Sequence, residues 1–254
     1  MKRWRSYPNR DSEIHDMLAN SSNDVQSGRL DQDVHLPSTA KLELVDFIAQ
    51  ELPLWRDHPD RPPAQAETTL TEHLCDHLNG AAYHSAEWSH VQFRTETGDE
   101  ARGGRKIDLT VKPRGAALIV EGRRHSQFDA LFPIECKRLP TPKEKDRDER
   151  DYVVTGTGTT GGIQRFKFGH HGSTHTFAAM IGYVQEKTFS HWLTETNKWI
   201  YDLSTASESS WTDEDALRLV SETSAAKLCT LESCHRRSDG LEDCDLRHLW
   251  IAMN

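Results

Sequence analysis

Cysteine is sparse in this chain, and the five present are an odd number, so no disulfide framework is available to hold 254 residues together. A reducing compartment follows, and the expected localisation is cytoplasmic. Long apolar runs are missing too. Nothing approaches the roughly 18 to 20 consecutive apolar residues of a spanning helix, and the basic start Met1-Lys2-Arg3-Trp4-Arg5 is not followed by the apolar stretch of a signal peptide. No membrane partner is therefore expected. Hydrophobic residues make up 35% of the chain, or about 41% with its 15 glycines, below the roughly 45 to 50% usual on that count. One core is feasible, and some of the chain must be loop or arm.

Excess positive charge is also absent: 31 basic residues face 40 acidic ones, for a net -9. That balance excludes coating of nucleic acid by whole-surface attraction, while leaving room for a local basic cleft. The total sums unlike regions. Residues 202–222 hold six acids against Arg218, whereas residues 102–114 hold five bases against Asp108. Internal repeats are lacking, and the Thr/Gly run from Thr155 to Gly162 is followed by no Lys-Ser or Lys-Thr, so it does not fit a nucleotide phosphate loop.

What is present reads as alternating helix and strand. Residues 1–37 form a polar arm with one short helical candidate, Glu13–Leu18. Ser38 or Thr39 can cap a helix whose apolar positions Leu42, Leu44, Val45, Phe47, Ile48 and Leu52 end before Pro53. After a proline-rich linker, Glu67–Asn79 repeats the helical pattern through Leu70, Leu74, Cys75 and Leu78, with Asn79-Gly80 as its stop. A meander follows: Trp88–Thr95, then Lys106–Val111 after a turn at Arg102-Gly103-Gly104, then Ala116–Glu121 and Leu131–Lys137. The Thr/Gly run predicts a flexible loop, Ile163–Phe168 opens a helix, Phe177–Val184 is a buried strand and Trp192–Leu203 a helix. An acidic loop, a helix start and a terminal hairpin complete the chain. The expected division is an N-terminal arm with helices over residues 1–64 and one α/β domain over residues 65–254.

Chemistry concentrates in two strands. Residues two apart in a strand face the same side, so Glu135 and Lys137 project together while Ile134 and Cys136 face the opposite packing. Burying a carboxylate and an ammonium costs several kcal/mol unless each has a partner. A site justifies that cost. With the Asp108 strand alongside, two carboxylates and a lysine converge on a volume suited to a hydrated Mg2+, with Mn2+ as an alternative. Such an ion takes oxygen ligands, activates water and steadies a leaving oxygen in phosphodiester hydrolysis, with the lysine orienting or deprotonating the water.

An acid on one strand followed by Glu-x-Lys on the next resembles the PD-(D/E)XK nuclease superfamily, whose restriction-endonuclease-like fold is a mixed central sheet flanked by helices. The order helix, three-strand meander, helix, strand is similar over residues 65–190, with Ile107 where proline is common before the first acid. The resemblance implies an Mg2+-dependent endonuclease acting on DNA. Asp108, Glu135 and the Cys136 carbonyl would hold the metal and Lys137 would position water. Gln164 would support the site from behind, and Glu67, on the inward face of the first helix, would join it. It also implies a prokaryotic restriction or anti-phage setting, and the acidic total adds targeting by self-association or by a partner subunit.

Arg165, Lys167, His170 and His171, with Arg138, are the candidate phosphate donors; Lys143 and the arginines at 102, 105 and 114 are candidates for the same groove. A solvated face is their ordinary alternative, as an acid in a first helical turn is for Glu67. Cys229, Cys234 and Cys244 with His235 or His248 do not match zinc spacing, and packed thiols are expected instead. The rival readings are a nucleic-acid-binding or assembly subunit that keeps the fold without cutting, and an RNase or DNA-repair nuclease using the same site.

Overall fold

The structure is a computed structural model describing residues 33–99, 106–143, 147–156, 159–207, 209–238 and 240–254. Residues 33–254 form one compact unit. Its elements are β1 (Val34–His35), α1 (Ala40–Arg56), α2 (Glu67–His84), β2 (Val91–Gly98), β3 (Lys106–Pro113), β4 (Leu118–Val120), β5 (Arg123–His125), β6 (Phe132–Leu139), α3 (Gly162–Lys167), β7 (Phe177–Val184), α4 (Phe189–Ser204), β8 (Arg218–Thr223), β9 (Leu228–His235) and β10 (Cys244–Ala252). A mixed seven-stranded sheet runs in the order β2-β3-β6-β7-β10-β9-β8, and β1-β4-β5 form a second, small sheet. The central strands β6, β7 and β10 are parallel neighbours, flanked on both sides by antiparallel pairs. The protein is thus α/β with a mixed central sheet flanked by helices.

Strand alternation sorts the core into two layers. Leu109, Val111, Ile134, Cys136, Ala179, Ile181 and Tyr183 pack beneath α1 and α2; Ala178, Met180, Val184, Leu246 and Trp250 face α3, α4 and the segment Tyr152–Val154. Leu44, Ile48, Leu52 and Trp55 of α1 are almost fully buried in the first layer, each contributing on the order of 1.5 to 3 kcal/mol before chain entropy. The boundary expected at residue 64 therefore falls inside one core, because α1 and α2 share it. Gly182 on β7 lies under the Trp250 indole, where a Cβ would come within 2.4 Å of Cδ1.

Several boundaries depart from the sequence reading. α1 continues past Pro53 to Arg56, since proline in a last turn removes only one helical hydrogen bond, and the Asp57 amide still donates to the Pro53 carbonyl at 3.0 Å. α2 runs through Asn79-Gly80 because the Asn79 side chain is engaged elsewhere: it donates to the Phe93 carbonyl at 3.0 Å and accepts from the Phe93 amide at 2.9 Å. The expected helix start after residue 215 is instead the edge strand β8, all of whose residues are exposed. The Glu13–Leu18 candidate and the Arg102-Gly103-Gly104 turn lie outside the described residues, as do Thr157 and Gly158 of the Thr/Gly run.

The second layer contains a buried polar chain. Trp250 Nε1 donates to Tyr152 Oη at 2.8 Å, Tyr152 Oη meets His248 Nδ1 at 2.8 Å, and Ser233 Oγ joins His248 Nε2 (2.8 Å) to His235 Nε2 (2.7 Å). His235 Nδ1 then reaches Asp215 Oδ1 at 2.7 Å, which Lys167 Nζ also meets at 2.9 Å. Every link is buried. These histidines are committed to this chain, and Cys229 and Cys244 are buried free thiols, in keeping with packed side chains.

Candidate active site

β3 and β6 pair antiparallel until Leu109 and Ile134, where the ladder stops. The next residue on β3 is Asp108 and the next on β6 is Glu135, so a carboxylate flanks each side of the fork. The β2–β3 ladder also skips Asp108: Thr95 pairs with Leu109 and Thr97 with Ile107, while Glu96 between them has a left-handed φ of 49°. Left without a ladder partner on either side, Asp108 takes the Cys136 amide on its side chain, Oδ2 accepting at 2.8 Å.

Glu135 and Lys137 face the second layer, as period-2 alternation requires, with Lys137 Nζ 2.8 Å from Glu135 Oε1. Glu67, the first residue of α2, is favoured there by the helix dipole, and its carboxylate also binds β6: Oε2 accepts from the Arg138 amide at 3.1 Å and Oε1 from Lys137 Nζ at 3.4 Å. The Arg165 guanidinium, from α3, closes on Glu135 Oε1. A cleft of about 540 Å3 is lined by Glu67, Asp108, Lys137 and Arg165 and continues along Arg147, Asp148, Asp151, Thr155, Gly156 and Thr160. A larger depression of about 780 Å3 lies between α1 and α2, but it is open, shares no residue with this cluster, and its His77 and Glu51 are already paired at 2.8 Å. The chemistry selects the smaller cleft.

The two strand carboxylates are pushed in opposite directions. Burial pushes Asp108 up to about 7, and the charges of Glu135 and Glu67 push the same way against Lys137. Burial would raise Glu135 as well, but Lys137, with His171 and Arg165 beside it, outweighs that and holds it at about 2. Lys137 is pulled down by burial and held well above its ordinary value by Glu135, Glu67 and Asp108, so it stays an ammonium. Pairs of titratable groups pushed apart in this way concentrate at functional sites.

The cluster offers only oxygen donors to a cation, which suits Mg2+ or Mn2+. Glu135 Oε2 is buried with no hydrogen-bond partner, and Asp108 is crowded by like charge, so both favour added positive charge. The donors fit such an ion in kind. As they stand they form an ion-pair cluster: among the described residues no group of three His, Cys, Asp or Glu side chains is arranged to hold a metal, and Glu135 Oε1 is taken by Lys137 and Arg165.

The sequence-derived residues separate into two groups. Glu67, Asp108, Glu135 and Lys137 come together; Cys136 sends its amide to Asp108 and its side chain into the core beneath α2. Gln164 does not touch the carboxylates. Its Oε1 accepts from the Thr155 and Gly161 amides at 3.3 and 3.4 Å, pinning the Thr/Gly segment that walls the cleft, and Gly161 is so close to Val154 that a Cβ would stand 2.3 Å from that residue's Cα. Of the expected phosphate donors, Arg165 lines the cleft. Lys167 does not: it is buried against Asp215, below the Trp211 ring, because an unpaired ammonium in that layer would be prohibitive. His171 is buried 3.4 Å from Glu135 Oε2, and Arg138 donates to the Gln65 carbonyl at 2.6 Å, so neither reaches out to a groove; His170, half-buried, packs on Phe168. Arg114 lies over Tyr83, and residues 102 and 105 fall outside the described residues. Arg147, Asp148 and Asp151 were missed, since their irregular segment has no period to mark a face.

The chain matches no protein-family model, no curated protein and no solved structure in the three comparisons made. No helix among the described residues is long and apolar enough to cross a membrane.

Proposed function

We propose that the protein is a metal-dependent nuclease with a restriction-endonuclease-like core of the PD-(D/E)XK superfamily, cutting DNA phosphodiesters in prokaryotic restriction or anti-phage defence. One observation carries the reading: Asp108, Lys137 and Glu67, drawn from two strands and a helix far apart in sequence, line one cleft, with Glu135 buried directly behind Lys137 at the same fork. The chain order of helix, meander, helix and strand supports it.

Asp108, Glu135 and the Cys136 carbonyl would hold the ion. A bound Mg2+ or Mn2+ supplies Lewis acidity, lowering the pKa of a water and stabilising the leaving oxygen. Lys137, kept protonated by three carboxylates, acts by orienting the water and offsetting phosphate charge instead of removing a proton. Glu67 steadies Lys137 and Gln164 fixes the loop wall. The acidic total chain charge fits delivery by self-association or by a partner subunit, as opposed to free scanning.

The deciding experiment incubates the protein and a Lys137→Ala variant with plasmid, single-stranded DNA and RNA in Mg2+, Mn2+ or EDTA. Cutting that needs metal and is lost in the variant is expected. Absence of cutting on every substrate, with candidate partners added, overturns the nuclease reading in favour of a binding subunit. Cutting of RNA alone moves the substrate class, because the metal chemistry is indifferent to the sugar.

A further inference from the structure

Glu135 meets two cations, one of which it shares with Glu67. Its Oε1 receives both Lys137 Nζ, at 2.8 Å, and the Arg165 guanidinium, while the buried Oε2 has only His171 Nδ1 near it, at 3.4 Å. Asp108, Glu135 and Glu67 share Lys137 and Arg165, so a divalent cation bound by Glu135 would have to compete with one of those two for its carboxylate. Both cannot remain once an ion with two charges arrives, because like charges in a poorly hydrated site repel strongly.

The surroundings decide which one leaves. The Lys137 side chain is 6% exposed, belongs to the same strand as Glu135, and is shared between Glu135 and Glu67. Arg165 is 17% exposed, reaches Glu135 from a different element, and already lines the cleft beside Thr155, Gly156 and Thr160. Its long stem permits a rotamer change with little disturbance of packing, and its planar fork suits a phosphate bidentately.

We propose that Arg165 is an exchangeable counter-ion: it neutralises Glu135 until a divalent cation is bound there, then turns its guanidinium into the cleft to hold a phosphate of the nucleic acid. This rests on the nuclease reading of the same cleft. Two couplings follow. Arg165 competes with the metal, so the metal binds the free protein weakly; and metal loading strengthens phosphate binding, since it releases the group that makes the contact.

The test is a calorimetric Mn2+ titration without nucleic acid on the wild type, Arg165→Gln and Arg147→Gln. Arg147 lines the same cleft and controls for a simple loss of positive charge. Arg165→Gln should bind Mn2+ about tenfold tighter or more, and Arg147→Gln within about threefold of wild type. In Ca2+, used as a non-cutting ion, Arg165→Gln should lose most of the gain in duplex affinity that the ion gives the wild type. Because the variant could misfold, the wild type is also followed by 15N NMR: the Arg165 Nε–H signal should shift on adding Mg2+. Equal Mn2+ affinity in wild type and Arg165→Gln, or an Arg165 signal unmoved by a Mg2+ concentration that saturates the site, overturns the exchange while leaving the nuclease reading intact. No Mn2+ binding by any of the three overturns both.

Discussion

Replacing Asp108 by asparagine should make the protein more stable while abolishing cutting, and the gain should depend on pH in a defined way. An ordinary aspartate loses its proton near 3.8; Asp108, buried and facing Glu135, loses it near 7. Because the folded-state pKa lies above the unfolded one, the contribution of Asp108 is fully present below pH 4 and is lost as pH rises through 7. Each pH unit in that window is worth about 1.4 kcal/mol, so the ionised form costs the folded state at most about 4 kcal/mol by pH 8, and about 2 kcal/mol where neighbouring groups relax. Asparagine removes this cost, and its carbonyl oxygen still accepts from the Cys136 amide. The assay is urea unfolding in EDTA at pH 5, 6, 7 and 8, followed by tryptophan fluorescence, for the wild type and Asp108→Asn. The stability difference should rise towards neutral pH and level off above it; other titrating groups cancel because both proteins carry them. Mg2+ added at pH 8 should then stabilise the wild type and leave the variant unchanged, as expected for an ion that binds only the folded site. A difference that is flat in pH, or a variant less stable at pH 8, would refute the electrostatic account of Asp108.

Lys167→Met should lose about 3 to 5 kcal/mol, because it leaves the buried Asp215 carboxylate without its cation, held only by neutral His235 and the Thr212 amide; the same change should leave the salt dependence of nucleic-acid binding untouched, and a reduced slope would show that Lys167 reaches phosphate after all. In the buried chain, Trp250 can only donate, so the hydrogen-bond order that satisfies every group has Tyr152 donating to His248 and Ser233 donating to His235. Nitrogen NMR at pH 7 should therefore find His248 protonated on Nε2 and His235 on Nδ1, both neutral. Burial holds both below their ordinary values, so as pH falls below 6.5 the unfolded chain takes up protons that the folded one refuses, and stability drops by up to about 1.4 kcal/mol per pH unit for each. An imidazolium signal from either at pH 6 would contradict this.

How much of this was legible depended on whether a residue sat in an element with a strict period. Glu135 and Lys137 could be placed on one side because strand alternation leaves no choice, and Phe177–Val184 was read to the residue. The inward face of Glu67 followed from its spacing to Leu70 and Leu74, and its place in the site only from the family resemblance. β8 was misread because Arg218-Leu-Val-Ser-Glu-Thr223 buries neither face, so no alternation marks it as a strand. The polar chain from Tyr152 to Asp215 was illegible for another reason. Alternation does put Ser233 and His235 on the same inward face of β9, but only the β9–β10 register brings His248 to them, and only a loop brings Tyr152.

The same distinction explains why the strand residues of the cluster could be placed together and their counter-ions could not. Asp108, Glu135 and Lys137 lie on strands whose periodicity fixes their direction. Their counter-ion, Arg165, lies on a six-residue helix after an aperiodic Thr/Gly segment, and its direction is set by Gln164 capping that segment and by the close approach of Gly161 to Val154. An arginine there is equally compatible, from sequence, with a solvated surface, a phosphate contact or a buried ion pair. Only the fold decides that it meets Glu135. A carboxylate that reads as a free metal ligand in the sequence is, in the folded protein, one already neutralised by Lys137 and Arg165.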